Sequence, residues 1–180
     1  MSSININLTN TKRFIRVALL MAVLLPLNTA SSIGERSLSF YHTHTKKTLD
    51  VTYSVGGEYV ESALAEVNHF LGDFRTGDAT LIDPELLDLI YDIRASLNSN
   101  GTFEVISAYR SPETNEMLRK LGRGVAKKSQ HLIGKAIDVR LRNIDSIDLR
   151  DAAIKIKRGG VGYYKKSDFV HIDTGRVRRW

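Results

Sequence analysis

The chain of 180 residues contains no cysteine. That excludes a disulfide framework, a lipid-attachment cysteine and any thiolate metal ligand, leaving only nitrogen and oxygen donors for a metal site. Proline is scarce too, with three residues in all. Pro26 breaks an apolar run, whereas Pro84 and Pro112 each follow a residue suited to cap a helix, Asp83 and Ser111. A membrane-spanning run is also missing: the apolar stretch from Val17 to Leu27 is about 11 residues, against the ~20 that a spanning helix needs. There is no repeat, low-complexity tract or interdomain linker, and basic residues are not interleaved with aromatics as on a nucleic-acid surface. No nucleic-acid partner is expected.

What the N-terminus does have is order. Lys12, Arg13 and Arg16 precede the apolar run, and the small residues of Asn28-Thr29-Ala30-Ser31-Ser32 follow it, the charge, core and cleavage pattern of a secretory signal. Residues 1–30 therefore read as a signal peptide cleaved near Ala30, which predicts a periplasmic protein with no membrane anchor once cleaved. Lys12-Arg13 is only part of a twin-arginine pattern, so the general secretion route is expected. The formal charge of +6 owes half its excess to this segment, which holds three basic and no acidic residues. Residues 31–180 make one domain by length, able to bury ~70% of the surface its unfolded chain exposes, and a monomer is expected. Arg176, Arg178 and Arg179 suit a solvated or salt-bridged tail and a polyanion site equally.

Periodicity predicts an α+β domain. Leu49, Val51, Tyr53 and Val55 alternate as a half-buried strand ending at Gly56-Gly57, and Val60, Leu64, Val67 and Leu71 fall at helical spacing. A second helix opens at Asp83-Pro84 and buries Leu86, Leu87, Ile90, Ile93 and Leu97, ending by Asn98 to Gly101. Phe103 to Ser107 is a strand, Ser111-Pro112 opens a third helix, and Asp145 or Ser146 caps a fourth that stops at Gly159-Gly160. Strands through Gly162-Tyr164 and around His171 close the chain. These elements suggest a small, mainly antiparallel sheet with flanking helices and an open cleft. His42 and His44 read as a solvated strand entrance, and His69 as a surface or boundary residue.

Two clusters carry the chemistry. The first is Ser129-Gln130-His131-Leu132-Ile133-Gly134-Lys135-Ala136-Ile137-Asp138; the second is Asp168-Phe169-Val170-His171-Ile172-Asp173. Gly134 permits a tight turn, so His131 sits in a loop and Asp138 on the strand after it. On the second strand His171 and Asp173 share a face, and Asp168 stands at its start. A catalytic zinc takes three protein ligands and keeps one open position. On spacing alone the carboxylate ligand is Asp138 or Asp173, the other holding a histidine in one tautomer.

The pattern Ser-x-His-x-x-Gly-x-Ala-x-Asp, with an acidic residue three before a histidine, resembles the zinc D-alanyl-D-alanine peptidase family, whose fold is shared with lysostaphin-type peptidases and the hedgehog domain. Ser107-Ala108-Tyr109-Arg110-Ser111 is similar to that family's Ser-x-Tyr-Arg-Ser segment. Phe74-Arg75-Thr76-Gly77, Ile82-Asp83-Pro84, Val105 to Asn115, Gly124-Val125-Ala126-Lys127 and Arg158 to Trp180 resemble its periplasmic murein endopeptidase branch, a likeness running from about residue 40 to 180. The resemblance implies one Zn²⁺ per chain on His131, Asp138 and His171, Asp168 as general base and Arg110 as electrophilic helper. Many relatives carry glutamate where Asp168 stands. Ser129 and Tyr109 are candidate substrate contacts, with a capping turn and ring packing as their respective alternatives; for Arg110 the alternative is a buried ion pair.

The function so implied is hydrolysis of peptide cross-links between peptidoglycan stems. A D-alanyl-D-alanine carboxypeptidase or dipeptidase is the second reading, though the chain has few insertions with which to wall off a terminal carboxylate. A non-catalytic, metal-stabilised wall-binding module is the third; it would need neither Asp168 nor Arg110.

Overall fold

The computed structural model describes residues 34–122 and 124–180. The expected signal segment and its cleavage site lie outside the described residues. Strands β1 (Arg36–His42) and β2 (Thr48–Val55) pair antiparallel, and β3 (Glu58–Tyr59) folds back on β2. Helices α1 (Glu61–Phe70) and α2 (Pro84–Ser96) come next, then β4 (Phe103–Ser107) and α3 (Pro112–Lys120). A 3-10 turn (Gln130–Ile133) leads into β5 (Ala136–Leu141), followed by α4 (Ser146–Ile156), β6 (Gly160–Tyr164), β7 (Phe169–Asp173) and β8 (Arg178–Arg179).

Local chemistry accounts for the helix starts. The Asp83 side chain accepts from Glu85 N and the Ser111 side chain from Thr114 N, each satisfying a donor left free by the first turn, with proline placed where no donor is needed. α4 starts at Asp145 without a side-chain cap. It also ends early: Lys157 turns into the left-handed region at φ 57 before the two glycines are reached. Those glycines serve the next strand instead, since a Cβ on Gly159 would run into the carbonyl of Asp173.

The strands form one sheet in the order β3-β2-β1-β4-β5-β7-β6-β8. β1 runs parallel to β4 and β6 parallel to β8, and the other neighbours are antiparallel. The sheet is thus mixed and eight-stranded, which corrects the small, mainly antiparallel sheet expected from the sequence. The reason is β1, inserted between β2 and β4; a parallel pairing has no hairpin and leaves no local turn signal.

Alternation along the strands divides the sheet into two faces. Phe40, Phe103 and Leu141 lie in register, as do Val105, Val139 and Val170, and all are buried with the inner sides of α1, α2 and α4. Full burial of each such side chain contributes ~1.5–3 kcal/mol, so this face holds the sheet rigid. On the opposite face Asp138, His171 and Gly162 form a row across β5, β7 and β6. No helix among the described residues is long and apolar enough to cross a membrane.

Candidate active site

Asp138 and His171 are directly opposite each other on β5 and β7, so the register of two core strands sets their separation. His131 arrives from the 3-10 turn. Gly134 ends that turn at φ 69, where a Cβ would strike the carbonyl of Leu81, so only glycine lets the chain turn back into β5 here. Asp138 Oδ1 lies 2.8 Å from His171 Nδ1 and 3.3 Å from His131 Nε2, and the two ring nitrogens are 3.2 Å apart. All three residues are buried.

The outer nitrogens decide what the inner ones can do. His131 Nδ1 donates to the carbonyl of Ala108 at 2.5 Å, and His171 Nε2 donates to Asp173 Oδ2 at 2.8 Å. With those protons committed outward, two nitrogen lone pairs and a carboxylate oxygen converge on one point, an arrangement that calls for a cation. The separations match the ~3.3 Å edge of a tetrahedron of zinc ligands at ~2.0 Å. Burial disfavours a charged His171, but hydrogen bonds to Asp138 and Asp173 outweigh it and push the ring up to about 9, so a proton competes with a metal for Nδ1. Burial would also raise Asp138, yet the His131 and His171 rings hold it well below the usual carboxylate range. The residues fit a zinc ion, with His131, Asp138 and His171 as the donors that would hold it.

Asp173 stands behind His171, fully buried, and also accepts from Gly160 N, Gly175 N and both terminal nitrogens of Arg178, at 3.0 and 2.6 Å. Arg110 is buried beside Asp138, with Nη2 3.8 Å from Asp138 Oδ2 and Nη1 3.4 Å from Asn115 Oδ1, while its Nε has no partner among the described residues. Burial lowers its pKa, and Asp138 works against that shift. Ser129 lines the same pocket, and its hydroxyl accepts from His131 N at 3.3 Å, so it caps the turn that carries His131.

Two expected residues are not brought in. Tyr109 packs against the core and does not line the pocket, because its backbone N–H is held by Leu71 while neighbouring Ala108 passes under His131. Asp168 lies at the start of β7 with φ 49 and a side chain 66% exposed. Its carboxylate faces Arg140, Oδ2 to Nε 3.4 Å, and the same guanidinium binds the carbonyls of Ser167 and Asp168. His42 is also corrected: it is buried against Phe70 and Phe74, its Nδ1 accepting from His44 N, and is not a solvated residue. Sequence reasoning passed over Trp180, Tyr164 and Phe169, which form an aromatic side of the pocket.

An imidazole and a carboxylate on the sheet and a second imidazole on the turn before β5, open to a cleft of about 360 Å³ and flanked by a buried arginine, define a metallohydrolase-type site. The comparisons narrow the class. Residues 30–180 match the family model described as peptidoglycan L,D-endopeptidase MepK, and the chain belongs to that family. It is 41% identical over 152 residues to peptidoglycan L,D-endopeptidase MepK of Escherichia coli (strain K12), covering 84% of each chain. It is 39% identical over 146 residues to the probable peptidoglycan L,D-endopeptidase MepK of Haemophilus influenzae, covering 81% of this chain and 78% of the relative. No solved structure matches the chain.

Proposed function

We propose that this protein is a zinc-dependent murein endopeptidase, exported to the periplasm, that hydrolyses peptide cross-links between peptidoglycan stems during wall remodelling. The observation that carries the reading is the convergence of His131 Nε2, His171 Nδ1 and Asp138 Oδ1 beside Arg110. The L,D specificity in the relatives' name points to one bond. A link between two diaminopimelate residues joins an L acyl centre to a D amine, whereas a D-alanine to diaminopimelate link joins two D centres, so the former is the proposed substrate.

Zinc, when bound, would supply Lewis-acid polarisation of the scissile carbonyl and a water of lowered pKa. His131, Asp138 and His171 would hold it, and Asp173 and the Ala108 carbonyl fix the two rings in the ligating tautomer. Arg110 is placed to stabilise the developing oxyanion, because its guanidinium lines the cleft beside Asp138. Asp168 is the proposed general base, taking the water proton on its carboxylate and delivering it to the leaving amine. For that, its side chain has to leave Arg140 and turn toward His171, a movement confined to the end of the β6–β7 turn.

The test is digestion of purified cross-linked sacculi with the protein, with products identified by mass. Conversion of dimers to monomers supports the endopeptidase. Release of D-alanine from monomeric stems with dimers left intact would favour the carboxypeptidase, and no release with retained wall binding would favour the non-catalytic module.

A further inference from the structure

Trp180 is the sole tryptophan of the chain. Its backbone pairs with β6, donating to Val161 O and accepting from Tyr163 N, which lays the indole over Gly162. A Cβ on Gly162 would come within 2.5–2.7 Å of the indole atoms, so the glycine is the seat of the ring. The indole is fixed from two sides. Its N–H donates to Tyr164 Oη at 3.2 Å, and the Arg178 guanidinium, itself anchored on Asp173, lies 4.9 Å from the ring centroid. Tyr164 in turn stacks on Phe169 with centroids 4.5 Å apart.

The result is a preorganised apolar surface beside a proposed metal ligand: the Trp180 and His171 ring centroids are 5.2 Å apart. Trp180 remains 52% exposed and Tyr164 41% exposed, although the residues behind them are buried. Large aromatics held rigid and left open beside a polar centre mark a binding surface. Lys128, Ser129 and Gln130 line the same pocket and bring polar groups to it.

We propose that Trp180, with the Tyr164–Phe169 pair, is a specificity-determining wall that receives the aliphatic chain of the cross-linking residue next to the scissile bond. The inference rests on the endopeptidase reading. Proximity selects the peptide over the glycan: a surface one ring away from His171 meets the residue being cut, whereas the sugars lie a whole stem peptide away. The polar lining residues then meet the carboxylates and amides of the same residue.

The experiment compares wild type, Trp180→Phe, Trp180→Ala and Gly162→Ala on purified diaminopimelate-linked muropeptide dimers, with zinc content measured for each. Trp180→Ala should raise KM about tenfold, the effect of losing some 60 Å² of apolar contact, with kcat within about threefold and zinc unchanged. Trp180→Phe should recover most of the affinity. Gly162→Ala keeps the indole but unseats it, and should also raise KM. Indole emission of the wild type should shift on titration with the free stem tripeptide and not with the wall disaccharide. An unchanged KM in Trp180→Ala, or a fall in kcat that follows loss of zinc, would overturn the proposal in favour of a residue that merely supports His171. Emission that responds to the disaccharide alone would assign the wall to the glycan and overturn it as well. If wild type leaves dimers uncut, the endopeptidase reading fails on its own, and the emission titration still decides whether the wall binds the stem.

Discussion

Asp138 and His171 are cross-strand partners whose side chains meet at 2.8 Å, so the heart of the site is a property of strand register. A slip of one residue between β5 and β7 would send one of them into the core face. The buried rows of Val139 with Val170 and Ile137 with Ile172 forbid that slip, and the same residues that hold the sheet together set the ligand spacing.

The first prediction concerns Asp173, which holds the outer nitrogen of His171. Asp173→Asn should lower zinc affinity about 10- to 100-fold, the usual effect of losing the acceptor behind a ligating histidine. A competition titration against a chelating dye measures it. Wild-type affinity in the variant would mean that His171 needs no partner.

Arg110→Ala should lower kcat about 10²–10³-fold with zinc content near wild type, because the guanidinium acts on the transition state and not on the metal. Arg110→Lys should recover little, since a point charge cannot reproduce the fork between Asn115 and Asp138. Equal loss of folding and activity would instead assign Arg110 to a structural ion pair.

Asp168→Ala should abolish hydrolysis while leaving zinc bound, whereas His131→Ala should lose both. Metal analysis alongside turnover separates the two variants. Loss of zinc from Asp168→Ala would make Asp168 a ligand or a structural residue, and retained turnover would leave it as only the partner of Arg140.

Asp73 gives the fold an acid limit. Burial alone would raise its pKa, but hydrogen bonds from Thr114 and from the N–H groups of Arg75 and Ser111 hold it below the ordinary carboxylate range. A depressed carboxylate contributes stability that is present above its unfolded pKa of ~3.9 and is lost as pH falls through the folded value. Denaturant unfolding from about pH 6 to pH 3 should therefore show a shallower acid decline in Asp73→Asn than in wild type. Parallel declines would remove Asp73 from the account.

Much of this was legible in the sequence, for local reasons. Asp83-Pro84 and Ser111-Pro112 marked helix starts because capping acts within three residues, and Gly134 marked the turn because no other residue fits it. The pairing of the two histidine clusters was legible as well. What escaped notice is non-local. Nothing near Arg36 announces that β1 will insert beside β4, and nothing near His42 announces the Phe70 and Phe74 rings that bury it. The choice between Asp138 and Asp173 depended on which ring nitrogen each faces, a matter of register that spacing does not carry. The pattern puts Asp168 at the mouth of the site, but its left-handed backbone and its contact with Arg140 arise from the β6–β7 turn closing on β5.

The most direct measurement is the rate at which the purified, zinc-loaded protein cuts defined muropeptide dimers, one set linked diaminopimelate to diaminopimelate and the other D-alanine to diaminopimelate, with and without a chelator. The account predicts rapid conversion of the first set to monomers, much slower cleavage of the second, no activity after chelation and recovery on adding zinc back. Dimers left intact while D-alanine is released from monomers, or cleavage that persists undiminished with the metal removed, would contradict it.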